Sequence, residues 1–240
     1  MAESHNGDTK DRIIEVATKL FSEKGYDGAK MNEIAKETEI NKASIYYYFP
    51  TKQSILDHII ESFFSDIMRI SSDTILESIR RMVETGKLDI FPDRMSFAAE
   101  DDLISFRKDM TKYYKSLAEY MLGNRLVLHI ILSEALRDGE HKATLFRFFL
   151  MAHSDKGNPL FADISLAGSG SNYGRDIVFR KFFFSLMPMI NFAVFYDDYK
   201  TVSGMSDDEM LNAYLRSLHV SAAPYILGRE VIIDASGDID

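Results

Sequence analysis

Side chains that make or break bonds must be spaced so that they converge, and this 240-residue chain shows little of that spacing. It has no cysteine, which excludes disulfide frameworks and thiolate metal sites. Its six histidines (His5, His58, His129, His141, His153 and His219) never fall at metal-ligand spacing such as H-x-x-x-H. His129 lies in the apolar stretch Leu126 to Leu132 and is a candidate pocket residue. Gly168 to Gly174 is glycine-rich but lacks both the G-x-G-x-x-G spacing and the lysine of a phosphate-binding loop. With no nucleophile–base pair either, the sequence gives no reason to expect an enzyme, a metal or a cofactor. The residues equipped for chemistry sit in Lys30 to Phe49, KMNEIAKETEINKASIYYYF. Lys42, Ala43 and Ser44 are small or flexible side chains in a row, and the three tyrosines Tyr46, Tyr47 and Tyr48, taken alone, are as a rule packing residues.

The elements that must hold these residues read as helices. Asp8 or Thr9 can cap a first helix whose apolar face is Ile13, Ala17, Leu20 and Phe21, and Gly25 can end it. A short helix follows from about Lys30 to Thr38, with Met31, Ile34 and Ala35 on one face. Asn41 caps a second short helix, Lys42 to Tyr48, which Pro50 stops because the residue before proline is pushed out of helical geometry. Thr51 caps a fourth that runs toward the eighties. Two short helices joined by a tight turn form a helix-turn-helix. The leading face of the second must be narrow and polar to enter the major groove, with Ile40, Ile45 and Phe49 as its apolar anchor. Further helices are expected at roughly 97–122, 125–136, 141–153, 175–200 and 207–227, with turns at Gly123-Asn124 and Asp138-Gly139. The segment 157–174 reads as a loop and the tail from Asp234 as frayed. No alternating strand pattern stands out, so the fold class is all-α.

Composition agrees with a packed protein: 46% of residues are hydrophobic. The first ten residues are polar and do not resemble a signal peptide. The longest nearly apolar run, Phe182 to Tyr196, is too short for the ~20 residues of a spanning helix, so no membrane partner is expected and a cytoplasmic location is. The net charge of −9 is distributed unevenly. Residues 1–53 hold eight basic and nine acidic side chains, leaving 20 and 28 for residues 54–240. Charge alone would not suggest a nucleic-acid partner, so the positions of the lysines matter more than their number.

Residues 12–56 resemble the DNA-binding domain of TetR/AcrR-family transcriptional regulators. The likeness rests on Ala17, Leu20, Phe21, Gly25 and Tyr26, then Ile34 and Ala35, then Ile45, Tyr46, Tyr48, Phe49 and Lys52, all at the family's mutual spacing. Three departures are visible. Glu39 replaces the usual turn glycine, Ala43 a common glycine of the recognition helix, and Lys30 a common Thr or Ser.

The resemblance implies a three-helix DNA-binding domain at 1–53, with its motif at about 30–49. It also implies a larger helical domain at 54–240 for effector binding and dimerisation. The DNA-binding residues would be Lys30, Asn41, Lys42, Ala43, Ser44, Tyr46, Tyr47, Tyr48 and Lys52. Lys42 and Ser44 would face base edges, Ala43 a thymine methyl, and the tyrosines, Lys30 and Lys52 phosphates. The partners implied are a double-stranded DNA operator, a second copy packed through helices 175–200 and 207–227, and an apolar small-molecule effector. The last two helices carry this expectation well, since 175–200 is apolar almost all round and must be covered on more than one side. Repression of a palindromic operator, relieved by effector, is the function implied. The alternative is a helix-turn-helix protein controlled by a protein partner, or without an effector.

Overall fold

The computed structural model describes residues 2–90, 95–136 and 182–227, with side chains described over 8–90, 95–136 and 182–218. The expected helix 141–153, residues 175–181 of the next, the Asp138-Gly139 turn, the loop 157–174 and the tail from Asp234 lie outside the described residues. The chain divides into two compact units, Met1–Met68 with Gly123–Phe146, and Arg69–Leu122 with Arg147–Asp240.

The first unit contains α1 (Ala2–Gly28), α2 (Met31–Thr38), α3 (Lys42–Tyr48), most of α4 (Lys52–Ser71) and α7 (Arg125–Ala135). Ile13, Ala17, Leu20 and Phe21 of α1 are buried, as are Ile34, Ile45, Phe49, Ile55, Leu56, Ile59 and Ile60. Each large apolar side chain so buried contributes roughly 1.5–3 kcal/mol. Helix α1 starts at Ala2, ahead of the caps expected at Asp8 or Thr9. Once a helix is nucleated, each further residue adds a hydrogen bond at little extra cost, so an internal Asp or Thr need not begin it. Gly25 interrupts α1 with φ 73° and ψ 164°, a backbone region open essentially to glycine alone. Helix α7, although distant in sequence, belongs to this unit and buries Val127, Leu128, Ile130 and Ile131. His129 is exposed on it, with Nδ1 3.4 Å from Ser22 Oγ of α1, and so it does not line a pocket.

In the second unit, α4 does run on to Glu84, but through a π-helical turn at Ser72–Leu76 that joins it to α5 (Glu77–Glu84). A short two-stranded hairpin, not anticipated from the sequence, then follows within a fold that is all-α in class. Strands β1 (Leu88–Ile90) and β2 (Met95–Phe97) pair antiparallel, with Leu88 opposite Phe97 and Ile90 opposite Met95. Leu88 and Ile90 pack with Ile75, Met82 and Phe106, while Asp89 points outward. A three-residue alternation is too short to register as a period in sequence, yet long enough to close a hairpin over a core. Helix α6 (Glu100–Gly123) follows. The helix expected at 175–200 is broken over its described part into a π-turn at Phe182–Leu186, α8 (Met187–Val194) and α9 (Tyr196–Ser203). Pro188 has no N–H to give the preceding turn, and Phe195 sits outside helical geometry at φ −100°, ψ 21°. Helix α10 (Asp207–Leu227) coincides with its expected span.

Candidate nucleic-acid interface

Helix α3 stands out from the surface because its caps and its inner face are fixed locally. The Asn41 side-chain oxygen accepts the Ser44 N–H at 2.7 Å, which closes the N-terminus and is worth about 1 kcal/mol. At the other end the Phe49 N–H donates to the Ile45 carbonyl at 2.8 Å, and Phe49 itself is extended (φ −134°, ψ 99°) ahead of Pro50. Ile45 and Phe49 are buried; Ile40 is only partly so. The opposite side carries Lys42, Ala43, Tyr46 and Tyr47, all exposed, with Tyr47 at 79% and Tyr46 at 40%. Ser44 and Tyr48 are half-buried at its flanks. Lys42 Nζ lies 5.7 Å from the centre of the Tyr46 ring, and Tyr47 and Tyr48 meet edge to face at 5.3 Å. Seven residues thus present a cation, three phenols and a methyl on a narrow rod.

Helix α2 orients this rod. Thr38 is fully buried, and its hydroxyl donates to the Ile34 carbonyl at 2.7 Å. Glu39, in place of the usual glycine, does adopt the left-handed conformation (φ 55°, ψ 24°), with its carboxylate 3.4 Å from Arg12. Lys30 caps α2 by backbone only. The Glu33 carboxylate accepts the Lys30 N–H at 3.1 Å, but a lysine side chain has no acceptor with which to complete a reciprocal cap. Lys24 also holds Glu33, at 3.0 Å, and these two donors keep the Glu33 carboxyl below the usual carboxylate range. Two of the acids that make this segment nearly neutral are therefore paired with cations, Glu33 with Lys24 and Glu39 with Arg12. The Lys30 side chain is exposed. Beneath α3, His58 packs its ring against Phe49 at 5.6 Å. Burial, followed by the nearby Lys10 charge, lowers its pKa and favours the neutral imidazole.

Lys52 differs from the other candidates. Thr51 and Ser54 cap α4 reciprocally: the Ser54 N–H donates to Thr51 Oγ1 at 3.0 Å and the Thr51 N–H to Ser54 Oγ at 3.1 Å. One residue into that helix, Lys52 Nζ turns inward, donating to the Tyr26 carbonyl at 2.7 Å and the Ala29 carbonyl at 3.1 Å, with the Tyr26 ring 4.2 Å away. Two of its three donors thus hold the α1–α2 connection. On the α7 side, the Tyr26 N–H donates to the buried Glu134 carboxylate at 3.4 Å. Tyr26 is therefore gripped by α4 and by α7. Sequence reasoning missed Glu134 and Ser22, because their partners lie more than a hundred positions away and no local pattern announces them.

This arrangement is that of a helix-turn-helix DNA-binding transcriptional regulator. Residues 13–59 match the sequence profile of the bacterial regulatory proteins of the tetR family. These residues, and the relatives below, make the DNA-binding domain of this chain similar to that of TetR-family regulators. The probable HTH-type transcriptional regulator YttP of Bacillus subtilis is 24% identical over 149 residues, covering 60% of this chain and 72% of that protein. IcaR of Staphylococcus aureus, a negative transcriptional regulator of the biofilm operon icaADBC, is 48% identical over 61 residues, 25% of this chain and 33% of that protein. The match to IcaR thus spans about a third of its length. A crystal structure of a protein from Mesorhizobium loti assigned to the TetR family shares the fold, with TM-score 0.53 and 19% identity over 91% of this chain and 97% of that one. Among the described residues, no helix is long and apolar enough to cross a membrane.

Proposed function

We propose that this regulator is a cytoplasmic homodimeric repressor that occupies a palindromic operator and leaves it when an apolar effector binds its second unit. The carrying observation is the outward face of α3, where Lys42, Ala43, Tyr46 and Tyr47 are exposed while Ile45 and Phe49 anchor the opposite face. On this reading residues 1–53 read DNA and residues 54–240 sense and dimerise. Lys42 and Ser44 contact base edges, Ala43 a thymine methyl, and Tyr46, Tyr47, Tyr48 and Lys30 phosphates. Asn41 sets the angle of the recognition helix through its cap. Lys52 serves chiefly as the clamp on the α1–α2 connection.

The dimer reading is supported by α8, α9 and the turn before them. Phe183, Phe184, Phe195, Tyr199 and Val202 are exposed there, whereas Phe192 is buried against Tyr214. Phe192 therefore belongs to the core, and Phe195 is the position at which a charge should dissociate the dimer. Two copies must hold their recognition helices about 34–36 Å apart to read both half-sites. An effector that prefers another separation weakens the complex by no more than that preference, and ~100-fold release requires roughly 2.7 kcal/mol. Among the described residues, the chain passes between the units at Met68–Arg69 and Leu122–Gly123. The helices α4 and α7 on the first-unit side of these crossings both hold Tyr26, which offers a route by which effector binding tilts α3.

The test is a gel shift and footprint on the DNA flanking the protein's own gene. Protection of a discrete palindrome is expected. Uniform, weak and salt-sensitive binding would rule out a sequence-specific repressor.

A further inference from the structure

The second unit contains a buried hydroxyl that no group among the described residues satisfies. Tyr214, on α10, lays its ring flat on Phe192 of α8 at 4.3 Å, and its hydroxyl oxygen is buried without a hydrogen-bond partner among the described residues. A buried donor left unpaired is uncommon in a folded protein and calls for an explanation. Its surroundings are unusual in other ways. Tyr113 and Tyr114, consecutive on α6, each meet a serine at a π-helical turn. Ser71, just before the turn at Ser72–Leu76, lies 3.5 Å from the Tyr113 hydroxyl, and Ser185, inside the turn at Phe182–Leu186, is hydrogen-bonded to Tyr114. Single π-turns within helices occur often at functional sites. Tyr114 and Tyr214 are also close enough that the charge of one would raise the pKa of the other. Phe192, Met210 and Leu122 lie beside Tyr214, as does Tyr196, whose own hydroxyl donates to the Asp207 carboxylate at 2.6 Å.

We propose that the hydroxyls of Tyr214 and Tyr114, with Ser185, form the polar end of an effector site for a neutral, largely aromatic molecule bearing one hydrogen-bond acceptor such as a ketone oxygen. The site rests on the reading of the second unit as a sensor. An acceptor on the ligand would take the proton that Tyr214 otherwise offers to nothing, and an aromatic body would replace contacts of the Phe192–Tyr214 stack. Burial dominates the environment of both phenols, so a carboxylate would lose its hydration there at a cost that a neutral acceptor avoids.

Binding of small aryl probes is followed by isothermal titration calorimetry. The probes are matched triples at two sizes: acetophenone, ethylbenzene and benzoate, then 2-acetylnaphthalene, 2-ethylnaphthalene and 2-naphthoate. The full-length dimer should bind a ketone at least tenfold more tightly than its alkyl counterpart and more tightly than its carboxylate. In Tyr214→Phe that tenfold advantage should vanish. The melting temperature of Tyr214→Phe without ligand should be unchanged or higher, because an unsatisfied group has been removed. Equal binding across each triple, preference for the carboxylate, no binding of any probe, or a clear loss of stability in Tyr214→Phe would each overturn the site. Operator release is scored separately. Ketone binding without release would leave the site standing and sink the effector reading, whereas an effector from a wider library that releases DNA equally from wild type and Tyr214→Phe would do the reverse.

Discussion

The two units use comparable side chains to different ends. In the first, every turn that positions α3 closes on a named partner: Asn41 on Ser44, Thr51 on Ser54, Lys52 on Tyr26 and Ala29, and Glu134 on Tyr26. In the second, helices pass through two π-turns, α8 breaks at Phe195, and a phenol lies buried without a partner. Local rules and the final structure agree in the first unit and conflict in the second. A surface that must present the same atoms to DNA at every encounter benefits from redundant caps. A body that must change shape needs states of similar energy, and imperfectly satisfied polar groups and irregular helical turns provide them.

The largest expected effect tests how tightly the first unit is determined. Ile45 is fully buried at the back of the recognition helix, and Ile45→Ala should destabilise the protein by roughly 2–5 kcal/mol. Operator binding should fall with it, because α3 loses the anchor that sets its depth. Denaturant unfolding with a gel shift would show both. An Ile45→Ala protein that unfolds at the wild-type midpoint would mean that this unit is as forgiving as the other.

Lys52→Met comes next. It releases two backbone carbonyls from a charged donor, and each such hydrogen bond is worth about 1.5–3 kcal/mol. Partial exposure of Lys52 places the expected loss for the two together near the lower end, about 3 kcal/mol. The affinity for DNA should drop while the slope of log K against log salt stays at its wild-type value. Lys30→Met, at an exposed lysine assigned to phosphate, should instead reduce that slope by about 0.9, the signature of one lost phosphate contact. A reduced slope in Lys52→Met would restore the phosphate role that its spacing alone suggests.

These variants also mark what the sequence made legible. The helices around the motif could be read because α1 shows a 3.6-residue apolar period and because Asn41, Pro50 and Thr51 act on residues within four positions of themselves. The left-handed turn at Glu39 could be anticipated as well. What remained hidden was either too short or too distant. The hairpin at 88–97 alternates over three residues, and the membership of α7 in the first unit depends on Ser22, Tyr26, His129 and Glu134 meeting across long separations. Lys52 was read by type and place as a phosphate ligand, but whether a lysine points out or in depends on the carbonyls that the fold happens to bring near it.

Alkaline titration sharpens the contrast from the side of the second unit. Burial raises Tyr114 to about 12 from its ordinary 10.0, and Tyr113 and Tyr214 shift in the same direction for the same first cause. A raised folded-state pKa means that the folded form holds its proton longer than the unfolded form does. Its stabilising contribution is therefore complete below about pH 10 and is lost as pH climbs from 10 through 12. Melting temperatures across that window should fall more steeply for the wild type than for Tyr114→Phe. Parallel curves would show that the Tyr114 hydroxyl reaches solvent.

The smallest effect concerns Glu39, where a non-glycine residue of the first unit takes a left-handed backbone. Its left-handed backbone costs a non-glycine residue about 1 kcal/mol, which Glu39→Gly would recover. The substitution also removes the ion pair with Arg12, whose partners are 51% and 82% exposed, so that pair is worth only a few tenths of a kcal/mol. The balance favours the variant by about 0.5 kcal/mol, or one to two degrees in melting temperature for a chain of roughly this size. DNA affinity should not change, because neither Glu39 nor Arg12 belongs to the outward face of α3. A clear fall in melting temperature would mean that the Arg12–Glu39 pair supports the turn more than its exposure suggests. The first unit would then hold strain of its own, and the contrast with the second would narrow.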